Sequence, residues 1–124
     1  MPTARFDRSR RVRRRGEFQK VFDRGVRIHG RFLTLLMAEA PGAHSRLGIV
    51  ASKKLGGAVA RNRAKRLIRE VFRRNTPNAG RAVDILVIAR RELLEAAYSS
   101  LEDDFRGACR RATVRLSASN STRR

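Results

Sequence analysis

Arg61, Asn62, Arg63, Lys65, Arg66 and Arg69 set five cations and one amide within nine residues. The chemistry open to such a set is the binding of a polyanion. Read as a helix over residues 60–74, at about 100° of turn per residue, the segment sorts its side chains. Ala60, Ala64, Leu67, Ile68 and Val71 gather on one side, and Asn62, Lys65, Arg66, Arg69 and Arg73 on the other. The first side can dock on a core. The second is a stripe of cations with only Glu70, the single acid of the segment, to offset it. Lys53 and Lys54 precede the helix across Gly56-Gly57, a pair that lets a backbone or a phosphate approach closely. The spacing is not that of a nucleotide-binding P-loop.

The other reactive residues do not assemble into a catalytic set. Hydrolysis by a protein needs a positioned general base and acid, or carboxylates clustered about metal ions. His29 and His44 are the only histidines, and both are expected to be solvated in loops. Glu102, Asp103 and Asp104 read as a solvated acidic face of a C-terminal helix. Asp84 heads a strand and is expected to pair with an arginine. Cys109, the single cysteine, excludes an intrachain disulfide. Among small and apolar neighbours it reads as a buried, inert thiol. No catalytic residue and no metal site is assigned.

Charge sets the class. The chain has 124 residues, 30 Lys+Arg against 11 Asp+Glu, and a formal net charge of +19. The length suits one domain, and a hydrophobic fraction of 41% is enough for a modest core. So high a charge opposes compaction by self-repulsion, which an anionic partner or salt relieves. Nucleic acid is the default partner, because phosphate contacts release counterions and supply most of the affinity. The cations are mostly arginine, which reaches phosphate bidentately and stacks on bases. No stretch is long and apolar enough to span a membrane, and no apolar run follows the basic start as in a secretory signal. The expectation is a cytoplasmic protein with no membrane partner.

The elements that must position these residues follow from periodicity. Residues 1–15 form a basic arm with too little apolar surface to fold alone. Residues 16–24 read as a helix with Phe18, Val21 and Phe22 at i, i+3 and i+4 and Gly25 closing it. On pattern alone both aromatics are core. Residues 31–40, with Phe32, Leu33, Leu35, Leu36 and Met37, read as a strand. Pro41-Gly42 makes a turn, and residues 46–52 a second strand paired with the first as an antiparallel hairpin. After the basic helix, residues 75–80 are a break and 82–89 a strand apolar on both faces. Residues 91–116 read as one long helix, and 117–124 as a polar, basic tail. The expected fold is α+β: a single domain over residues 16–116, its sheet packed by helices in the order helix, strand, strand, helix, strand, helix. The general rule makes the strand–helix–strand crossover over residues 46–89 right-handed.

Residues 61–69, Arg-Asn-Arg-Ala-Lys-Arg-Leu-Ile-Arg, resemble the signature of the bacterial ribonuclease P protein subunit. Three other blocks fit the same family in order: Phe18-Gln19-Lys20-Val21-Phe22 with Gly25, residues 47–56, and residues 84–90. The resemblance implies a small α+β domain similar to a ribosomal-protein domain, with a left-handed crossover in place of the right-handed one. It implies two RNA partners: the catalytic RNA of ribonuclease P, and precursor tRNA, whose 5′ leader the complex removes by endonucleolytic hydrolysis. Mg2+ would be held through the RNA, the protein would be an accessory subunit, and no further protein partner is required. By resemblance, Lys53, Lys54, Arg61, Asn62, Arg63, Lys65, Arg66 and Arg69 bind the RNA subunit, and Phe18, Lys20 and Phe22 contact the leader. The family places aromatics on the cleft-facing strand. Here Leu33, Leu35 and Met37 stand in that segment, implying apolar contact more than stacking.

A reading from another class is a non-catalytic RNA-binding protein of the ribosomal or RNA-chaperone kind. It predicts RNA binding without any effect on leader removal. Charge does not separate the two, whereas the four blocks favour the first. A DNA-binding regulator is more distant, since no helix-turn-helix partner precedes the basic helix.

Overall fold

Two apolar stretches, residues 33–39 and 83–89, share the centre of one sheet, and their pairing sets the topology. The computed structural model describes residues 15–77 and 81–122. The elements are α1 (Arg15–Arg24), β1 (Val26–His29), β2 (Leu33–Glu39), β3 (Arg46–Val50), α2 (Ala58–Arg74), β4 (Val83–Ala89) and α3 (Tyr98–Thr122), with 3-10 turns at Lys53–Leu55 and Arg91–Glu95. The sheet order is β1-β2-β4-β3. β1 pairs antiparallel with β2, β2 antiparallel with β4, and β3 parallel with β4.

The α+β class stands, and the expected order gains a strand. β1 was hidden because its two apolar residues, Val26 and Ile28, alternate with Arg27 and His29 over only four positions. His29 therefore lies in a strand and not in a loop. The expected hairpin between residues 31–40 and 46–52 does not form, because β4 inserts between them. The physical reason is burial: Val83, Asp84, Ile85, Leu86 and Val87 are all buried, so β4 needs a neighbour on each edge and a layer on each face. The long helix expected over residues 91–116 is broken. Leu93 is fully buried in the 3-10 turn, and extended Ala96 (φ −76°, ψ 143°) re-aims the chain into α3. α3 then runs to Thr122, into the segment read as a tail. Residues 1–14 of the expected arm lie outside the described residues.

Side-chain alternation divides the sheet. Leu33, Leu35, Met37, Leu47, Ile85 and Val87 face α2 and α3, whose Ile68, Phe72, Leu101 and Phe105 complete the main core. Phe72 and Phe105 meet edge to face, centroids 6.5 Å apart, and lock the two helices. The opposite face carries Leu36 and Leu86, in register with Gly48, and α1 covers them with Val21. Gly25 makes the turn from α1 into β1. A Cβ there would lie 2.4 Å from the Val21 carbonyl oxygen, so the close approach requires glycine.

α3 also fastens the β1–β2 connection. The Asp104 carboxylate accepts hydrogen bonds from the backbone N–H groups of Arg31 (3.0 Å) and Phe32 (2.9 Å). Arg90 donates to the Gly30 carbonyl at 3.1 Å. Asp104 is thus a tie and not part of a solvated acidic face. Glu102 likewise accepts from the Asn75 amide at 2.8 Å, joining α3 to the end of α2.

Candidate nucleic-acid interface

α2 begins with Ala58, two residues before the expected start, and buries Ala64, Ile68, Val71 and Phe72. Its helical turn, about 100° per residue, turns Asn62, Arg66 and Arg69 away from that buried stripe. Arg63 lies on one flank, and Arg61 and Lys65, both half-buried, on the other. The expected cations therefore surround the helix's outer half and do not form a single row. Arg61, Arg63, Lys65 and Arg66 have no carboxylate partner among the described residues.

The far end of α2 is different. Glu70 accepts from Arg73 at 2.7 Å and pairs with Arg74 at 2.8 Å. The Arg73 hydrogen bond holds the Glu70 carboxyl below the usual carboxylate range. Arg74 also lies over the Tyr98 ring, 5.7 Å from its centroid. Unpaired charge is concentrated in the first turns of α2, next to exposed Lys53 and Lys54. Ser52 caps the turn that carries both lysines, its hydroxyl accepting from the Lys54 N–H at 3.3 Å.

Across the sheet, α1 leaves part of its face uncovered. Leu36 and Leu86 are buried beneath Val21 of α1, and the floor left half-buried beside them is made by Ala38 of β2, Ile88 of β4 and Val50 of β3. Phe18 is half-buried against this floor, while Phe22 is 39% exposed. The core reading of Phe18 and Phe22 holds for part of Phe18 and fails for Phe22. Leu33, Leu35 and Met37, expected at the cleft, are on the other side of the sheet and at most 1% exposed. The unbroken apolar run of β2 hid which parity faced which layer. Val50 and Ile88 were not singled out by the sequence. Their signal was the half-buried alternation of strands that looked wholly apolar.

Lys20 is separated from the aromatics. It lies about 200° of helical turn from Phe22 and, with Arg24, borders a cavity of about 410 Å³ on the other flank of α1. That cavity ends on Arg46 and Asp84, which form the ion pair expected of Asp84. Arg46 donates through Nε (2.8 Å) and Nη2 (2.7 Å) to the two carboxylate oxygens. The cleft and the basic helix are on opposite faces of the sheet but meet at one end. β3 finishes at Val50, on the cleft floor, and the chain then passes through Lys53 and Lys54 into the cationic start of α2.

Neither histidine sits in a catalytic arrangement. His29 contacts the Thr34 hydroxyl at 3.4 Å, and His44 is exposed. Among the described residues no three His, Cys, Asp or Glu side chains converge as a metal ion requires. Burial pushes the Cys109 thiol up to about 12, which keeps it protonated and inert. Among the described residues no helix is long and apolar enough to cross a membrane.

Residues 6–113 match the family model described as Ribonuclease P. The ribonuclease P protein component of Syntrophomonas wolfei is 33% identical over 99 residues, covering 80% of this chain and 83% of that protein. The solved RNase P protein of Staphylococcus aureus superposes with a TM-score of 0.73 at 32% identity, over 83% of this chain and 94% of that one. That of Thermotoga maritima gives 0.71 at 32% identity, over 82% and 96%.

Proposed function

The chain belongs to the ribonuclease P protein family, the accessory subunit of the ribonucleoprotein endoribonuclease that processes tRNA 5′ ends, and on that premise we propose how its surfaces divide the work. Lys53, Lys54, Arg61, Asn62, Arg63, Lys65, Arg66 and Arg69 bind the RNA subunit, with the cations meeting phosphates and Asn62 a backbone or base edge. Phe22 and Phe18, the latter beside half-buried Ile88 and Val50, hold the single-stranded 5′ leader of precursor tRNA. An exposed aromatic beside an apolar floor accepts any base by its π-face, which suits a leader of variable sequence. Lys20 takes a leader phosphate on the far flank of α1, beyond the reach of Phe22. The observation that carries this reading is the exposure of Phe22, 39%, on the helix whose Phe18 packs, with the half-buried Ile88 and Val50, on the sheet cluster of Leu36 and Leu86.

The donor set of the described residues does not fit a divalent ion, so no step runs through one on the protein. Mg2+ is supplied through the RNA subunit, which performs the hydrolysis. The protein holds leader and RNA subunit together around the end of β3. In a cell these partners place it in the cytoplasm.

The test is reconstitution. The protein, a bacterial ribonuclease P RNA and a precursor tRNA are mixed at low magnesium, with protein-only and RNA-only controls. Leader release only when all components are present supports the proposal. RNA binding that never promotes cleavage overturns it.

A further inference from the structure

We propose that the side of α3 that runs from its outward surface round to β1 is a second RNA-binding surface, which grips the phosphate backbone of a double-helical RNA at the opposite edge of the sheet from α2. α3 packs over β1 and β2, whereas α2 packs beside β3. Their outward faces therefore point away from opposite edges of a four-stranded sheet.

The charge on α3 is segregated. Its first turns hold Glu102, Asp103 and Asp104, and from residue 105 to the end of the chain there is no acidic residue. Its inner side buries Leu101, Phe105, Ala108, Ala112 and Leu116. Arg110, Arg111 and Arg115 are all exposed; at about 100° per residue Arg110 points away from the buried stripe, Arg111 lies about 100° further round, and Arg115 lies on the flank beside β1, where it reaches the Arg27 carbonyl. None has a carboxylate partner among the described residues: Arg111 donates to the Gly107 carbonyl at 3.3 Å and Arg115 to the Arg27 carbonyl at 3.1 Å. Arg106, one turn earlier, is already paired with Glu102 at 3.3 Å.

The helix dipole does not account for these cations. It acts within the last turn, and Arg115 stands well before Thr122, the last residue of the helix. Arg111 and Arg115, four residues apart, repel one another across one turn. An occupant with negative charge removes that repulsion. The face carries no aromatic side chain, and Val114, 65% exposed, is its one large apolar residue. It therefore lacks a stacking platform for a single strand. Arginines spread over about one and a half turns without aromatics fit backbone recognition, the way double-stranded RNA is held.

The experiment uses the full chain and a blunt RNA duplex of about 16 base pairs, with no overhang to enter the cleft. Binding is followed by fluorescence anisotropy over a range of salt, and stoichiometry by native mass spectrometry. The wild type is expected to take two duplexes. Arg110→Ala/Arg111→Ala is expected to take one and to lose about 2 from the salt slope, roughly 0.9 per phosphate contact. Arg110→Lys/Arg111→Lys is expected to keep the second duplex. Arg63→Ala/Arg66→Ala is expected to lose the other duplex, and with it support of leader removal, so failure at α3 is distinguishable from failure of the α2 assignment. A wild type whose only duplex is lost in Arg63→Ala/Arg66→Ala and kept in Arg110→Ala/Arg111→Ala, or an alanine pair at α3 that binds as many duplexes as the wild type, overturns the proposal. So does displacement of the second duplex by polyglutamate as effectively as by RNA at equal charge concentration, which would mark a surface for acidic protein.

Discussion

Gly30 and Asp104 form a thermodynamic pair whose coupling can be worked from contacts. Asp104→Ala removes two hydrogen bonds to a carboxylate, at 3.0 and 2.9 Å. Bonds to charged groups contribute about 1.5–3 kcal/mol each. Asp104 is only half-buried, so the low end applies and the loss is about 3 kcal/mol. Gly30→Ala acts on the same bonds from the other side. Its Cβ would sit 2.7 and 2.9 Å from the two Asp104 oxygens, and 2.9 Å from the Leu33 carbonyl oxygen. Backbone strain does not enter, since among the described glycines only Gly56, at φ 130°, is in the left-handed region. The carboxylate must swing away, so this single change loses the same two bonds and adds the collision with Leu33, about 4 kcal/mol in all. The double variant loses them once. It retains the collision with Leu33, and is expected at about 4 kcal/mol in place of the additive sum of about 7. Urea unfolding of the four proteins at neutral pH measures the cycle. Additivity within about 0.5 kcal/mol would refute the claim that both residues act through one tie.

Phe22→Ala is expected to leave the fold intact and to weaken discrimination between leader-bearing and mature tRNA by about 1–3 kcal/mol, the worth of one stacked base. Competitive cleavage kinetics measure this, and a large drop in thermal midpoint would return Phe22 to the core. Arg66→Ala should lower affinity for the RNA subunit and flatten the salt slope by about 1, read by filter binding at several salt concentrations. Cys109 makes stability fall in alkali. Its folded pKa is raised to about 12 from 9.0, so above pH 9 the unfolded state gives up a proton that the folded state keeps. The contribution is full below pH 9 and is lost toward pH 12, at about 1.4 kcal/mol per pH unit. Cys109→Ala should remove that part of the slope in denaturation curves taken at rising pH.

The basic helix was legible because amphipathic sorting at a helical period is a local property, and its buried stripe of Ala64, Ile68 and Val71 follows directly from spacing. Asp84 was legible for a similar reason, as a carboxylate in an apolar strand needs a partner and arginines are abundant. The strand neighbours were not. A two-sided apolar β4 can pair with either neighbour, and its insertion between β2 and β3 depends on long-range burial that no window of sequence contains. The cleft floor was misread for a related reason. In Leu33-Thr34-Leu35-Leu36-Met37 both parities are apolar enough to face a core, and only the packing of α1 on Leu36 breaks the tie. The tie formed by Asp104 was hidden altogether, since its partners are backbone N–H groups more than 70 residues earlier in the chain.

The central place of β4 has a consequence for how the chain comes off the ribosome. β4 is the last strand to be made, yet it supplies the neighbour for both β2 and β3. Until residues 83–89 emerge, β3 has no strand to pair with and β2 keeps one edge open, and their partners arrive across separations such as the 38 residues between Arg46 and Asp84. Such non-local closure slows folding and leaves strand edges exposed meanwhile. The large positive charge, which weakens the finished fold, keeps nascent chains apart during that interval. The same positive charge therefore acts early, as the chain's own protection against sticking to its copies.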